Sequence, residues 1–434
     1  MHIAVIGTGI AGLTASWLLN RSGHEVTLFE KQSTLGMASH GMQIAIDEVS
    51  LPCDVPSRMF NPLLWPNLSK VYDIAGVEST SVNPSKSFCP FRPQNETRSK
   101  AWLKLNDSFQ LSLLPQLLLQ SSSRKIVKDI AKMMATAGSE LERIRSSDSN
   151  SVESFKAYLE RYDYSKEFIY QFLYPALAST VCTCSYESLD QYPTDILLSA
   201  MQLLIGSTPL QRTVNGTQHT ADLLSAGVSR MNFNTTVANV SSTDDKAMLE
   251  IENQGSNSTH DFDHVIVATQ ANSALAFLDP KMRLEKEILA GFKYEDVSVV
   301  IHSDPHWMPA RKQDWATFNF LSRHDSQAAM CSIWLNQFYP EWETPTPLFQ
   351  TIMPLESPRP ETLLATAKLQ RPTVSANTKM DIDRLRNLHE QPDRRVWFCG
   401  SYASPGIPLL ESGVVSALRL GKQLGFKIPN ACEI

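Results

Sequence analysis

The sequence predicts an α/β plus α+β protein, in which a parallel sheet built from separate segments of the chain alternates with a second domain made of a sheet and a helical insertion. Three observations predict this class. A strand–helix–strand pattern occupies residues 2–30, apolar strand-like runs recur near residues 265 and 396, and a long region of helical periodicity lies between these patterns. Because parallel strands need crossover connections, segments far apart in the chain are expected to share one sheet.

The first pattern carries a glycine-rich turn. Gly7, Gly9 and Gly12 follow the apolar run 3–6, and a helix-like stretch over 13–20 leads to a second apolar run that ends at Glu30. Gly7 permits the tight turn, Gly9 lets the backbone approach a diphosphate, and Gly12 lets the helix pack close to the strand. The helix N-terminus stabilises the diphosphate charge, and the carboxylate of Glu30 is placed to hold ribose hydroxyls. The segment therefore predicts a Rossmann-like dinucleotide site that favours an unphosphorylated ribose.

Composition and charge exclude several kinds of partner. Of the 434 residues, 42% are hydrophobic and 19% are charged, and the formal net charge is −6 with an isoelectric point near 6.0. A chain of this charge without a broad basic patch is not expected to bind nucleic acid. No run of about 18 apolar residues is present, so no transmembrane segment is predicted. The apolar stretch 111–119 leaves peripheral membrane contact as an alternative.

Location and metal content are predicted from the first residues and from the cysteines. The first strand begins at residue 2, which leaves no room for a secretory signal peptide. The seven cysteines are scattered without a disulfide framework, which fits reduced thiols. A cytoplasmic protein is therefore expected.

Cys182 and Cys184 form the one close pair of cysteines, and because no second pair stands at ligand spacing, no metal site is predicted. The oligomeric state is left open.

The middle of the chain is predicted to be mainly helical, over about 112–205. Apolar residues repeat at helical spacing over 125–145, and a second helical pattern rich in Tyr and Phe covers 155–174. Pro175 is expected to end this second helix, because proline has no N–H group and clashes with the preceding turn.

Strand character returns after the helical region. The runs 231–240, 247–252 and 263–269 are expected to be strands. The last of them is apolar throughout, which suits a strand buried on both faces of a parallel sheet. The run 395–400 then predicts a strand that ends at Gly400, and a helix is expected over 410–424.

Three of these segments resemble the FAD-dependent oxidoreductases of the flavin amine oxidase superfamily. The resemblance covers most of the chain and is strongest over 1–36, 262–321 and 396–424. The glycine turn with Glu30-Lys31 resembles the FAD fingerprint of the superfamily. The segment Thr235-Thr236-Val237 resembles the strand whose valine backbone holds the adenine.

Two further segments each resemble a different group within the superfamily. The segment 262–319 is similar to a subgroup of predicted NAD/FAD-binding proteins, which are often labelled amine oxidase by homology alone. The turn Pro405-Gly406-Ile407-Pro408 resembles that of the carotenoid desaturases, which dehydrogenate long apolar substrates.

The resemblance implies a non-covalently bound FAD. It implies a discontinuous FAD-binding domain over 1–60, 212–290 and 390–434, interleaved with a substrate-binding domain over 61–211 and 291–389. It also implies that the final strand and helix approach the diphosphate, the ribityl chain and the N1/O2 edge of the flavin. The cofactor-binding residues that it implies are Gly7, Gly9, Ile10, Ala11, Gly12, Glu30, Lys31, Gly36, Val237, Ala268, Thr269, Gly400, Ser401, Leu410 and Glu411.

One position departs from the superfamily pattern. The superfamily has a Gly-Gly-Arg triplet after the second strand, where this chain has Gly36-Met37-Ala38. The missing arginine removes a contact to the diphosphate or to the flavin. FAD binding is still expected, because the other contacts are made mainly by the backbone.

A flavin accepts the hydride itself, so no strong catalytic base is required and the catalytic residues stay unknown. The candidates are His40, Arg58 and Tyr402, from segments expected to pass near the flavin ring. Each has a structural alternative. His40 is then an ordinary loop histidine, Arg58 braces the flavin or a core carboxylate, and Tyr402 packs in the core.

Other residues are expected to have structural roles. Trp315, Phe318, Trp334 and Asn336 alternate in strand-like sequence, where core packing is favoured and lining of the cavity is the alternative. Cys399 stands beside Gly400 but is not expected to hold the flavin covalently.

The leading functional hypothesis is dehydrogenation of a mainly apolar small molecule, such as a lipid or polyene, by hydride transfer to flavin N5. The alternatives are amine oxidation with release of hydrogen peroxide, double-bond isomerisation without net redox change, and a non-catalytic flavoprotein. Hydrolase and kinase functions lack support, because the sequence contains no Gly-x-Ser-x-Gly, His-Glu-x-x-His or phosphate-binding Gly-Lys-Ser/Thr motif.

Overall fold

The computed structural model describes residues 1–106, 121–146, 153–205, 209–253, 255–323 and 328–432. Its strands are β1 (His2–Ile6), β2 (Glu25–Phe29), β3 (Met42–Ile46), β4 (Val49–Cys53), β5 (Ser79–Ser81), β6 (Lys86–Pro90), β7 (Leu103–Leu105), β8 (Gln211–Thr213), β9 (Arg230–Asn232), β10 (Thr235–Ser242), β11 (Ala247–Asn253), β12 (Ser256–Phe262), β13 (His264–Val267), β14 (Tyr294–His302), β15 (Phe318–Arg323), β16 (Ala328–Trp334), β17 (Phe349–Ile352), β18 (Leu363–Pro372) and β19 (Val396–Phe398).

Its helices are α1 (Ile10–Arg21), α2 (Pro66–Ala75), α3 (Ser121–Ser146), α4 (Phe155–Arg161), α5 (166–181), α6 (Tyr186–Gln191), α7 (Thr194–Ile205), α8 (Gly216–Ser225), α9 (Ala271–Ala274), α10 (Arg283–Gly291), α11 (Leu335–Phe338), α12 (Ala376–His389) and α13 (Leu410–Gln423). Short 3-10 turns lie at Gly36–Ala38, Pro305–Trp307, Lys312–Asp314, Pro360–Thr362 and Ser401–Ala403.

A parallel sheet of the order β19-β13-β1-β2-β9 confirms the predicted Rossmann-like fold. All five strands come from the segments 1–60, 212–290 and 390–434. Val265, Ile266 and Val267 of β13 are fully buried, as their uniformly apolar sequence predicts. Helices α1 and α13 pack on one face of the sheet, and the antiparallel strands β10–β12 with α10 and α12 cover the other.

A second sheet of seven strands has the order β18-β14-β17-β16-β15-β6-β7. Only β15 and β6 run parallel, and the other neighbouring pairs are antiparallel. One face of this sheet packs against α5. There Phe88 lies with its ring centroid 4.9 Å from the rings of both Phe172 and Phe320. All of its strands lie in the segments 61–211 and 291–389, and the division into two domains at these boundaries stays a proposal.

The helix expected to stop at Pro175 extends further than the sequence predicts. Helix α3 confirms the periodicity of 125–145, whereas the prediction that Pro175 ends a helix is wrong. Two π-helical turns, Ile169–Leu173 and Leu177–Val181, flank a short α-turn in which Pro175 is at the start. The missing N–H of proline is tolerated at such a position, because the first N–H groups of a helical turn need no partner within that turn. Of the predicted region 112–205, residues 112–120 and 147–152 lie outside the described residues, as does the stretch 111–119.

The single strand predicted over 231–240 is also wrong. The chain forms β9 and β10 there, which belong to different sheets. Between them Asn234 has a φ of +51°, a left-handed conformation that Asn adopts more readily than most residues and that breaks an extended strand.

Within the described part of the chain, no helix is long and apolar enough to span a membrane.

Two buried histidines accept hydrogen bonds in the neutral form. His302 Nδ1 accepts from the N–H of Asp304 at 3.1 Å, and His389 Nε2 accepts from the N–H of Phe398 at 3.1 Å. Burial lowers the pKa of His302 to about 4. Burial, with the nearby charge of Arg394, lowers the pKa of His389 to about 3. Both imidazoles are therefore uncharged in the folded protein at neutral pH.

The pKa of each histidine is lower in the folded than in the unfolded chain, so the stability they contribute is present above pH 6.5 and is lost as the pH falls. We expect each histidine to reduce the free energy of unfolding by about 1.4 kcal/mol per pH unit between pH 6.5 and about 4.5. His389→Gln keeps a hydrogen-bond acceptor that does not titrate. Urea unfolding at several pH values should therefore show a smaller slope of the free energy of unfolding against pH, reduced by the contribution of one histidine. The exposed His219→Gln is the control, and equal slopes for both variants would contradict the assignment.

Candidate functional site

The glycine turn after β1 is shaped by close contact with α1. Gly7 has a φ of +94°, and a Cβ atom on Gly12 would lie 2.0 Å from the carbonyl oxygen of Gly7. A Cβ on Gly9, by contrast, would meet no heavy atom within 4 Å. Gly7 and Gly12 are therefore required by the fold, whereas the space beside Gly9 is available to a ligand.

The N-terminus of α1 opens into this space. Its N-cap is Gly9, which supplies no side-chain acceptor to the first turn. The N–H groups of Ile10 and Ala11 at such a terminus have no partner within the helix and are suited to an anion. On the strand side, Thr269 and Ala268 border the turn, and a Cβ on Gly7 would lie 3.1 Å from Thr269 Cγ2.

Glu30 is buried at the end of β2 and is held by the same turn. Its Oε2 accepts from the N–H and the hydroxyl of Thr8 at 3.0 and 2.6 Å, and its Oε1 accepts from the N–H of Gln32 at 3.0 Å. Gly36 closes this arrangement, because its N–H donates to Thr8 Oγ1 at 2.6 Å. A carboxylate has about four acceptor positions. Glu30 thus keeps capacity on Oε1 for a further donor such as a ribose hydroxyl. Lys31 is exposed beside it.

The end of β19 and the start of α13 approach α1. A Cβ on Gly413 would lie 2.7 Å from Ile10 Cγ2, and a Cβ on Gly400 would lie 2.5 Å from the ring of Tyr402. A side chain at Gly413 or Gly400 would have to displace Ile10 or Tyr402. Ile10, Ser401 and Leu410 consequently line one cavity.

Two of the implied cofactor residues have other roles in the structure. The carboxylate of Glu411 accepts from the N–H groups of Asn67 and Leu68 at 3.2 and 2.7 Å and so caps α2. Val237 is buried on β10, paired with Ile251 beside an irregularity in the strand register. The direct role that the resemblance implies for each of them stays a prediction.

The cavity lies between these segments and the seven-stranded sheet. Its floor is mostly apolar and comes from the sheet, through Val299, Phe318, Phe320, Ile352 and Leu369. Three cationic residues also line it: Arg58, Lys86 and Arg371. No Asp or Glu occurs among the described residues that line the cavity.

The three candidate catalytic residues are not brought together. Arg58 lines the cavity, whereas His40 is exposed and is absent from the described lining. Tyr402 is 3% exposed and packs in the core, with its ring centroid 4.8 Å from that of Phe292. Its hydroxyl has no hydrogen-bond partner among the described residues. This geometry favours the core-packing alternative for Tyr402.

Of the aromatic residues expected mainly in the core, Phe318 lines the cavity. Trp315 and Trp334 instead pack edge to face with centroids 5.4 Å apart, and Asn336 accepts from the indole N–H of Trp334 at 3.1 Å. Cys399 is fully buried away from the described lining, and burial raises the pKa of its thiol to about 12.

Sequence reasoning missed Lys86, Phe320 and Arg371. A signal for two of them was present, because Phe318 with Phe320 and Leu369 with Arg371 stand two residues apart on strands and therefore share a face. The sequence alone does not say which face meets the cavity.

The capping role of Glu411 can be tested by stability. Glu411→Ala leaves the buried N–H groups of Asn67 and Leu68 without their acceptor, so we expect the free energy of unfolding to fall by about 2–3 kcal/mol. Glu411→Gln keeps one oxygen and should lose less. Urea unfolding measures both, with the exposed Glu361→Ala as control. An alanine variant as stable as the control would contradict this role.

Comparisons with known proteins agree with this geometry. Residues 5–75 match the family model of the NAD(P)-binding Rossmann-like domain. A 48-residue stretch is 52% identical to the flavin-containing monooxygenases FMO GS-OX-like 5 and 3 of Arabidopsis thaliana. This match covers 11% of the chain, and the chain spans about 10% of the length of these curated relatives.

Solved structures match over nearly the whole length. Putrescine oxidase bound to putrescine aligns with a TM-score of 0.65 and 13% identity over 98% of this chain and 99% of its own. Cyclohexylamine oxidase from Brevibacterium oxydans IH-35A aligns with a TM-score of 0.61 and 13% identity over 98% and 99%. The fatty acid isomerase from P. acnes that produces CLA aligns with a TM-score of 0.64 and 14% identity over 97% and 98%. The chain therefore shares the overall fold of these solved proteins, and its residues 5–75 match a NAD(P)-binding Rossmann-like domain.

Proposed function

We propose that this chain is an FAD-dependent oxidoreductase that dehydrogenates a mainly apolar small molecule. The observation that carries the proposal is the cavity in which the ends of α1 and α13 face the apolar floor of the seven-stranded sheet. In this arrangement a group bound along the Rossmann-like sheet reaches a water-poor space with room for a second molecule.

The residues of the glycine turn fit FAD. The free space beside Gly9 and the uncapped start of α1 suit a diphosphate, and Glu30 keeps an acceptor position for a ribose hydroxyl. Because Cys399 is fully buried outside the described cavity lining, we propose that FAD is held non-covalently. Bound FAD would supply the electron acceptor of a dehydrogenation.

The chain itself would bind, orient and shield the reactants. Ile10, Ser401 and Leu410 border the cavity from the nucleotide side, and the sheet residues Phe318 and Ile352 place an apolar substrate on the opposite side. Burial of apolar surface contributes about 25 cal/mol per Å² to such binding. Removal of water from the cavity also protects a reduced cofactor from side reactions.

Amine oxidation is the less favoured alternative. Putrescine oxidase and cyclohexylamine oxidase share the fold, but fold similarity alone does not transfer a substrate. The described lining of this cavity offers Arg58 and Arg371 and no carboxylate, an environment that repels a protonated amine.

We also propose a cytoplasmic location. The seven cysteines are all unpaired in the structure, which suits a reducing compartment.

The proposed function predicts a purified protein that carries flavin or takes up FAD. Under anaerobic conditions, fatty acids or polyenes are expected to bleach the oxidised flavin band in stopped-flow measurements, whereas monoamines and polyamines are not. Conversion without lasting bleaching would instead support double-bond isomerisation. A flavin that no substrate reduces or uses would support a non-catalytic role, and failure to bind FAD would overturn the proposal.

Substitution by valine is expected to affect flavin binding at Gly9 and stability at Gly12. Gly9→Val places its side chain in free space, so we expect a loss of stability of about 1 kcal/mol from the poorer N-cap but little retained flavin. Gly12→Val drives its side chain into the carbonyl of Gly7 and should destabilise the fold by about 3 kcal/mol or more. Flavin absorbance and thermal unfolding of both variants separate these effects. A Gly9→Val protein with full flavin content would show that the diphosphate lies elsewhere.

A further inference from the structure

Two arginines reach the cavity from separate parts of the fold. Arg58 lies in the segment that follows β4, and Arg371 stands near the end of β18. Neither guanidinium makes a hydrogen bond or an ion pair with any residue that the structure describes, and Nε of Arg371 is buried without a partner. Both residues are half-buried, and a buried donor such as Nε of Arg371 is normally paired in folded proteins.

Two carboxylates close to these arginines, in the chain or across the sheet, form hydrogen bonds with other residues. Asp54 lies four residues before Arg58, and its carboxylate accepts from the N–H and the hydroxyl of Thr217 at 3.1 and 2.6 Å. Glu295 faces Arg371 across the β14–β18 pair. Its carboxylate accepts from the N–H and the hydroxyl of Ser185 at 2.7 and 2.8 Å. No ion pair joins either carboxylate to the two arginines among the described residues, and the charge of Asp54 only partly offsets the lowering of the pKa of Arg58.

The two guanidinium groups also influence each other. Burial lowers the pKa of both, and the positive charge of Arg371 further lowers the pKa of Arg58. Like charges in a poorly solvated space repel, and their repulsion is relieved by an anion placed between them. Ser57 adds a third polar group to this wall, since its buried Oγ has no hydrogen-bond partner among the described residues.

The floor of the cavity on the sheet side is mainly apolar, and Lys86 adds a third cationic residue to the lining. Leu369 stands two residues before Arg371 on the same face of β18, and Val299 and Ile352 continue this face across β14 and β17. An occupant that satisfies both the cationic wall and the apolar floor has an anionic head and a hydrocarbon body.

We infer that the substrate is an apolar molecule with a carboxylate, which Arg58 and Arg371 bind while the hydrocarbon chain lies on the floor formed by Val299, Ile352 and Leu369. This inference rests on the proposed function, which it narrows to acidic lipids. The guanidinium fork matches a carboxylate in two parallel hydrogen bonds, and this geometry favours the carboxylate over a cationic or neutral head.

The experiment measures equilibrium binding by the holoprotein with four probes that share a ten-carbon chain: decanoate, methyl decanoate, decylamine and decyl phosphate. Isothermal titration calorimetry gives the affinities, and turnover is not required. We expect decanoate to bind at least tenfold more tightly than methyl decanoate and decylamine. Equal affinity for acid and ester, or tighter binding of the amine, would overturn the inference. Decyl phosphate binding tenfold more tightly than decanoate would overturn the assignment to a carboxylate.

Variants of Arg371 test the residue assignment. Arg371→Met keeps the unbranched apolar stem of the side chain but removes the guanidinium group and its charge, and it should cut the preference for acid over ester at least tenfold. Arg371→Lys should restore part of it. The control is Arg230→Met, which removes one exposed charge at the edge strand β9 and should leave the preference unchanged.

Two further readouts separate this role from others. Flavin content of Arg371→Met should equal that of the unaltered protein, and a loss of flavin would show that Arg371 holds the cofactor instead. Its melting temperature should stay equal or rise, because an uncompensated charge is removed. A fall in melting temperature with unchanged acid preference would identify a purely structural residue. A protein that prefers decanoate but reduces no flavin would leave the inference standing as a binding site and would remove only the proposed function.

Discussion

The contact between α1 and the turn after β1 is the constraint on which the rest of the structure depends. A single added carbon on Gly12 would lie 2.0 Å from the Gly7 carbonyl, so the helix and the turn touch through their backbones. Gly413 allows α13 to approach the side chain of Ile10. The N-termini of two helices therefore meet at the carboxyl ends of β1, β13 and β19. Ligands of open α/β sheets bind at such an edge.

Hydrogen bonds from polar side chains then connect this edge to the seven-stranded sheet. Gln350 of β17 accepts from the N–H of Ser57 at 2.6 Å and donates to the carbonyl of Asp54 at 3.0 Å. These bonds hold the segment that carries Arg58 against the sheet. Glu411, in the first turn of α13, has a similar role, because its carboxylate caps α2 and so holds the two helices together. The shape of the cavity thus depends on a few buried polar contacts.

Charge distinguishes this cavity from what the fold alone would suggest. Proteins of the same fold include oxidases named for putrescine and for cyclohexylamine as well as a fatty acid isomerase. A shared backbone supports all of these chemistries, since the substrate is selected by the side chains that face it. Here the described lining combines an apolar floor with cationic residues and contains no carboxylate. On that combination we base the proposal of an acidic, apolar substrate in place of an amine.

Local patterns were sufficient for the Rossmann-like unit. The spacing of Gly7, Gly9 and Gly12, the apolar run 263–269 and the periodicity of α3 are each set by neighbours in the chain, and the structure confirms the elements that they predict. Features that these local patterns do not report decided the remainder. Pro175 stays within a helical segment because adjoining π-turns accommodate it, and β9 and β10 separate because each pairs with a different sheet.

The same division applies to the site. The tight turn and close helix contact at Gly7 and Gly12 could be predicted from the amino-acid sequence, because glycine spacing reports backbone conformation directly. The presence of Arg58 and Arg371 in one cavity could not, since the two lie more than three hundred residues apart and line the same space only once β18 has joined the edge of the seven-stranded sheet. Whether a charged side chain is neutralised, exposed or left facing a cavity is decided by which distant partners the fold brings within hydrogen-bond distance.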